Sequence, residues 1–259
     1  CGRRCADGLP QRRESPGAHP RVRVWPVTLD EADLTALWIT ARLALVSTVV
    51  LLMLGTPLAW WLSRTGSRLK PVVAAIVALP LVLPPTVIGF YLLMLMGPHG
   101  VVGQATQALG WGLLPFTFTG LVVGSVLHSL PFVVQPLQQG FGHIAQDLLN
   151  QSKALGANHW QLVAQLIWPL SRPALFSAFI LSFAHTLGEF GIVLMIGGNI
   201  PGQTQLLSML IYDQVESLNY ARAHLLSGLL LLFSFSVLFW LYQQQRGQQQ
   251  REQQQRSQQ

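Results

Sequence analysis

Charge is what this chain has least of. Only 10% of its 259 residues are Asp, Glu, Lys or Arg, against about a quarter in a soluble domain. From Pro71 to Gly142 there is none at all, and from Pro173 to Tyr212 Glu189 stands alone. A solvated surface over most of the length is therefore excluded. Cysteine is almost missing too. Cys1 and Cys5 both lie at the very start, so neither can staple the body of the chain, and two Cys without a His partner make a poor metal site. No Ser/His/Asp set, metal cluster or G-x4-G-K-[ST] phosphate loop can be found. The chain is therefore expected to be no enzyme, with no metal or cofactor of its own, and any ATP and Mg to be bound elsewhere.

What is present is apolar. Hydrophobic residues make up 51% of the chain and mean hydropathy is +0.41. Crossing a bilayer takes roughly 20 apolar residues per helix. Five runs qualify, at about 38–62, 72–97, 115–137, 173–197 and 222–242. The expected fold class is an all-α polytopic membrane protein with about five transmembrane helices in one domain, 28–242. The net charge of +6 is explained by position rather than by nucleic acid. Arg64, Arg68 and Lys70 follow the first run, Lys153 and Arg172 sit mid-chain, and Arg246, Arg251 and Arg256 follow the last. The loops at 98–114 and 198–221 have no Lys or Arg. Positive residues mark the cytoplasmic side, which puts the N-terminus outside and the C-terminus inside.

The ends fit less simply. Six arginines fall in the first 24 residues, on the side this topology calls external. Either a sixth span is missing or residues 1–27 are a leader foreign to the fold. Residues 243–259 are rich in glutamine and are expected to be disordered.

Within the runs, several residues stand out. Thr28 with Glu31 three later reads as a helix cap before the first span. Arg42 has a stem long enough to reach the headgroups. Pro80, Pro84 and Pro85 remove three backbone donors from the second run. Broken backbone at membrane depth holds only where it is buried in protein or lines a wet cavity. A half-helix starting at Pro85 and Thr86 would aim its free N–H groups at that cavity and favour an anion; the alternative is a kink that only shapes packing. Gly120 and Gly124 predict close helix contact. His128 reads either as a hydrogen-bonded structural histidine or as part of a path. Glu189 needs a partner, because an ionised acid at the membrane centre costs about 2.5–3.5 kcal/mol. It is either a gate or a polar tie between spans.

The polar interruption at 143–172 reads as two short helices hinged at Gly156, where positive φ costs nothing. Ile144, Leu148 and Leu149 give the first an apolar edge; Trp160, Val163 and Ile167 give the second one. Pro169 and Pro173 are expected to reset the chain before the next span. Gly156 stands ten residues before Leu166-Ile167-Trp168-Pro169. This spacing resembles the cytoplasmic coupling loop of ABC importer permeases, E-A-A-x3-G-x9-I-x-L-P. The chain is similar to that family over about 28–242, which implies the type I (MetI-like) permease fold. The resemblance implies that Asp147, Asn150, Gln151, Ser152, Lys153, Gly156, Leu166, Trp168 and Pro169 contact a separate ATPase. Asn150-Gln151-Ser152 stand where Glu-Ala-Ala is usual, and Asp147 lies three residues earlier on the same face.

Three segments narrow the resemblance to molybdate permeases: Leu79 to Thr86, Leu187 to Gly191, and Gly198-Asn199-Ile200-Pro201-Gly202-Gln203-Thr204. Sulfate and tungstate permeases belong to the same wider group. Family likeness implies a permease homodimer in the bacterial inner membrane, two ATPase copies and a periplasmic molybdate-binding protein. That protein would dock near Asn199, Pro201, Asp213 and Glu216. Two other classes fit the residues less well. An ion-coupled carrier would carry more intramembrane ionisable groups, and a membrane enzyme would need a catalytic cluster.

Overall fold

The computed structural model describes residues 30–257, so Thr28, both cysteines and the arginine-rich leader lie outside the described residues. Helix α1 (Glu31–Arg64) runs without a break from the first described residues to the first basic cluster. The residues ahead of the first apolar run and the run itself are therefore one element. Its cap is Asp30: the Asp33 carboxylate accepts the Asp30 N–H at 3.0 Å, and the Asp30 backbone is extended. That closes the first turn from the acidic side.

The second run is broken. Helix α2 (Lys70–Val82) and helix α3 (Pro85–Met96) meet at 114° across Leu83 and Pro84. The residue before a proline is pushed out of the helical region. Leu83 (ψ 138°) and Pro84 (ψ 136°) both precede one and are extended. Pro85 then opens α3, where its missing N–H is harmless. The short helix α4 (Val101–Ala108) follows, and α5 (Phe118–Gly142) starts on Thr117, whose hydroxyl accepts the Gly120 N–H at 3.1 Å. Pro131 and Pro136 do not end α5, which continues to Gly142.

Beyond it lie α6 (Gln146–Ala154) and α7 (His159–Leu162). A π-helical turn (Val163–Ile167) then leads straight into α8 (Trp168–Leu187). The expected reset at Pro169 and Pro173 does not occur. The wider π turn relaxes the spiral just ahead of Pro169, whose ring would otherwise press on the preceding turn. The last elements are α9 (Gly191–Gly197), α10 (Leu207–Glu216) and α11 (Tyr220–Ser257). The backbone of α11 thus continues through the glutamine-rich segment expected to be disordered. Gln and Arg are good helix formers and no proline intervenes.

Among the described residues four helices are long and apolar enough to cross a membrane, or five with the α2–α3 pair as one broken span. Helices α1, α5 and α8 pack on one another. Helix α5 runs alongside α1 in the same direction: Arg42 stacks over Phe118 at 4.5 Å at one end, and Arg64 reaches the Phe141 carbonyl at 3.0 Å at the other. Those contacts are 22 residues apart on α1 and 23 on α5, one helical register. Arg42 is thus held by an aromatic face. Two apolar cores stack along this axis. The core at the Arg64 end joins Leu51, Leu62, Val133, Leu137 and Phe141 to Ile144, Leu149, Leu162 and Ile167. The core at the Asp30 end joins Leu43, Leu92, Leu121, Ile192, Ile196 and Met209. A Cβ on Gly124 would stand 2.6 Å from Ile196 Cδ1, so α9 seats against the glycine face of α5.

Candidate functional site

Three places carry the residues singled out from the sequence. The first is the loop at the Arg64 end. Asp147, Asn150, Gln151, Ser152 and Lys153 all lie on α6, and the helix ends before Gly156, whose φ of +84° suits glycine. One edge of the pair is anchored, with Leu149, Leu162 and Ile167 buried in the same core as α1 and α5. The other edge is free: Leu155 is 89% and Trp160 78% exposed, and Trp168 at the start of α8 is 53% exposed. Trp160 was expected to share the edge of Ile167. The extra residue in the π turn rotates it away, toward the outside. Asn150 accepts a hydrogen bond from Gln146 at 3.4 Å, and Asp147 is exposed.

The second place is the junction of the interrupted helices. Two broken spans meet there. Helix α3 starts at Pro85 and α9 at Gly191, and a Cβ on Gly191 would stand 3.1 Å from Pro85 Cβ and 3.6 Å from Thr86 Cγ2. Between α8 and α9 the chain leaves the helix at Gly188 to Phe190. Glu189, only 4% exposed, accepts a hydrogen bond from the Ser125 hydroxyl, while its backbone carbonyl accepts one from Ser208 at 3.1 Å. One turn along each helix, His128 and His185 face each other with ring centroids 5.1 Å apart, and Phe132 stacks on His185 at 4.0 Å. The α5–α8 seam is therefore a polar ladder of two rungs.

His128 Nδ1, His185 Nε2 and Glu189 Oε1 are buried and make no protein hydrogen bond. His128 meets His185 by ring contact, and its Nδ1 takes no protein hydrogen bond. The structure brings the Glu189 break against Pro85 and Thr86, but the side chains of the two groups differ in setting. Pro84, Pro85 and Thr86 are exposed on the surface of the single chain, whereas His128 and Glu189 are inside it. The role of Ser125 was not legible: a serine in an apolar helix carries no signal until its partner, 64 residues on, is known.

The third place is the Asp30 end. Asn199, which has a positive φ of 55°, donates to Asp213 at 2.9 Å, and Gln205 also donates to Asp213 at 3.3 Å. Two of the expected docking residues thus fold the 198–206 loop onto α10. Pro201 and Glu216 are exposed. Arg222 at the start of α11 bridges Asp30 at 2.8 Å and Asp33 at 3.0 Å, which locks the first and last long helices together. Among the described residues no group of three or more His, Cys, Asp or Glu is placed to hold a metal.

Comparisons with known proteins agree with this arrangement. The model of the binding-protein-dependent transport system inner membrane component matches residues 51–248. The molybdenum transport system permease protein ModB of Azotobacter vinelandii is 58% identical over 218 residues, 84% of this chain and 96% of that one. A putative molybdenum transport system permease protein of Bacillus subtilis is 35% identical, covering 82% of this chain and 93% of its own. A bacterial ABC transporter involved in the import of the acidic polysaccharide alginate superposes with a TM-score of 0.67 at 17% identity, over 84% of this chain and 80% of that one. Helices, breaks and polar loop together are those of an ABC importer permease, and the chain belongs to the family of binding-protein-dependent transport system inner membrane components.

Proposed function

We propose that this chain is the membrane permease of an ATP-driven molybdate importer. The observation that carries it is the α6–Gly156–α7 pair: one edge is rooted in the helical core while the other presents Leu155 and Trp160 to a partner. Such exposed apolar groups on a polar loop suit a protein interface. The partner is a separate ABC ATPase, present in two copies, on which ATP and Mg are bound and hydrolysed. A second copy of the permease completes the path. The α6–α7 end faces the cytoplasm, as its Arg64, Arg68 and Lys70 cluster indicates, and the C-terminus lies on the same side. The Asp30 end faces outward and receives a periplasmic molybdate-binding protein near Pro201 and Glu216. The choice of molybdate rests on the likeness to the Azotobacter permease.

The path itself offers few charges to a dianion. Tight capture of a tetrahedral oxyanion takes several donors or cations, and the α5–α8 ladder supplies two imidazoles and a carboxylate. Passage is therefore weak and brief, with affinity left to the binding protein. Closing of the ATPase pair pulls on α6 and α7, and the halves of the broken spans pivot about the Pro85–Gly191 contact. The test is uptake of labelled molybdate by vesicles holding the permease, its ATPase and its binding protein. Uptake should require internal ATP and survive an excess of sulfate. Uptake without nucleotide, or its abolition by equimolar sulfate, defeats the reading. Trp160→Asp should release the ATPase from the purified complex.

A further inference from the structure

Arg64 ends α1, and from sequence it is one positive charge among three beside the membrane. Its geometry is more specific. Nη1 donates to Gln146 Oε1 at 2.9 Å, the first residue of α6. Nη2 donates to two backbone carbonyls, Phe141 in the last turn of α5 at 3.0 Å and Ile144 in the turn that follows it at 2.9 Å. The guanidinium also lies over Trp60 at 5.0 Å, and Trp60 meets the Phe141 ring edge-on at 5.2 Å. One planar group therefore touches the last turn of α1, the last turn of α5 and the first turn of α6.

We propose that Arg64 is a positioning residue that carries displacement of α6 into α1 and α5. The inference rests on α6 and α7 being the ATPase-contacting segment. Its physical basis is the fork. A guanidinium holds fixed, coplanar donors, so three acceptors gripped at once must move with it. The last carbonyls of a helix attract a cation, and the Phe141 carbonyl takes Arg64 on a second lone pair beside the Ile144 N–H at 3.2 Å. Without this group, α6 is joined to α5 by a three-residue turn, His143 to Ala145, and to the α1–α5 core by apolar packing alone, through Ile144 and Leu149. Packing of that kind lets surfaces slide. A directional bond resists sliding.

Arg64→Lys is the informative change, because lysine keeps the charge that orients the span but offers a point donor instead of a fork. In the reconstituted complex of permease, ATPase and binding protein, ATP hydrolysis should continue while molybdate imported per ATP falls by roughly fivefold. Gln146→Ala, on an exposed helix face, should give a smaller loss in the same ratio, and the two changes together should not add. An unchanged ratio in Arg64→Lys overturns the proposal. So does loss of the ATPase from the purified Arg64→Lys complex, since Arg64 would then merely hold the segment's fold. A wild-type complex with no ATP-dependent uptake would instead defeat the proposed function itself, which separates the two failures.

Discussion

The two breaks in the spanning helices are made in opposite ways. At Leu83–Pro84 the chain bends because its covalent structure forbids anything else: two prolines remove donors and push the residues before them into extended conformations. That elbow lies on the surface, with Pro84 and Pro85 exposed. At Gly188–Phe190 no proline is present, and Glu189 at its centre is buried although Gly188 beside it is exposed. It is held by what surrounds it: the Ser125 hydroxyl on the Glu189 carboxylate and the Ser208 hydroxyl on the Glu189 carbonyl. One break is written in local chemistry and the other in tertiary contacts. The first should survive loss of its neighbours, and the second should not.

The contact between them gives the largest test. Gly191→Val would place a branched side chain where even a Cβ comes within 3.1 Å of Pro85. Overpacking of this kind costs about 1–3 kcal/mol, and here it would push the two pivots apart. Uptake should fall by about tenfold, the equivalent of about 1.4 kcal/mol, while the protein still inserts. Retained transport would show that the breaks need not touch.

Next is removal of the local cause. Pro84→Ala with Pro85→Ala restores two donors and frees Leu83, so α2 should run on into α3. A straight helix places residues 76 and 94 about 27 Å apart, and the 114° elbow brings them much closer. Spin labels on Ile76 and Met94, both exposed, should therefore report a longer distance in the double variant. An unchanged distance would mean that the elbow, too, is imposed by its neighbours, and the contrast between the breaks would vanish.

What the sequence revealed follows the same division. The proline elbow and the Gly156 hinge were legible because φ restrictions act on single residues. The five apolar runs were legible because a bilayer demands length. The end of the fourth span was not: Glu189 looked like a residue within a helix running to 197, and only its partners on α5 and α10 turn that stretch into a break. Arg64 was hidden in the same way, since its acceptors lie 77 to 82 residues along the chain. Trp160 was misplaced because heptad-like spacing assumes an α-helix, and one π turn rotates everything before it.

A smaller effect is expected from the Ser125–Glu189 rung. Intramembrane hydrogen bonds are worth about 0.6 kcal/mol on average and at most about 1.7 kcal/mol. Ser125→Ala and Glu189→Gln should each lower the unfolding free energy in detergent by about 1 kcal/mol. A double-mutant cycle should leave a coupling within that range. Strict additivity would remove this bond from the account of the second break.

The smallest expected effect discriminates best between a global and a local role. Ser208, on α10, is half-buried and donates to the Glu189 carbonyl at 3.1 Å. Ser208→Ala removes one neutral side-chain hydrogen bond to that carbonyl, so stability should fall by only about 0.5 kcal/mol. A break fixed by tertiary contacts should nevertheless loosen at that spot. Amide exchange at Glu189 to Ile192 should quicken in Ser208→Ala while exchange at Leu83 to Val87 stays as before. Equal acceleration at both breaks would mean that they open as one unit through the Gly191–Pro85 contact. The difference in their origin would then have no consequence for how the helices move.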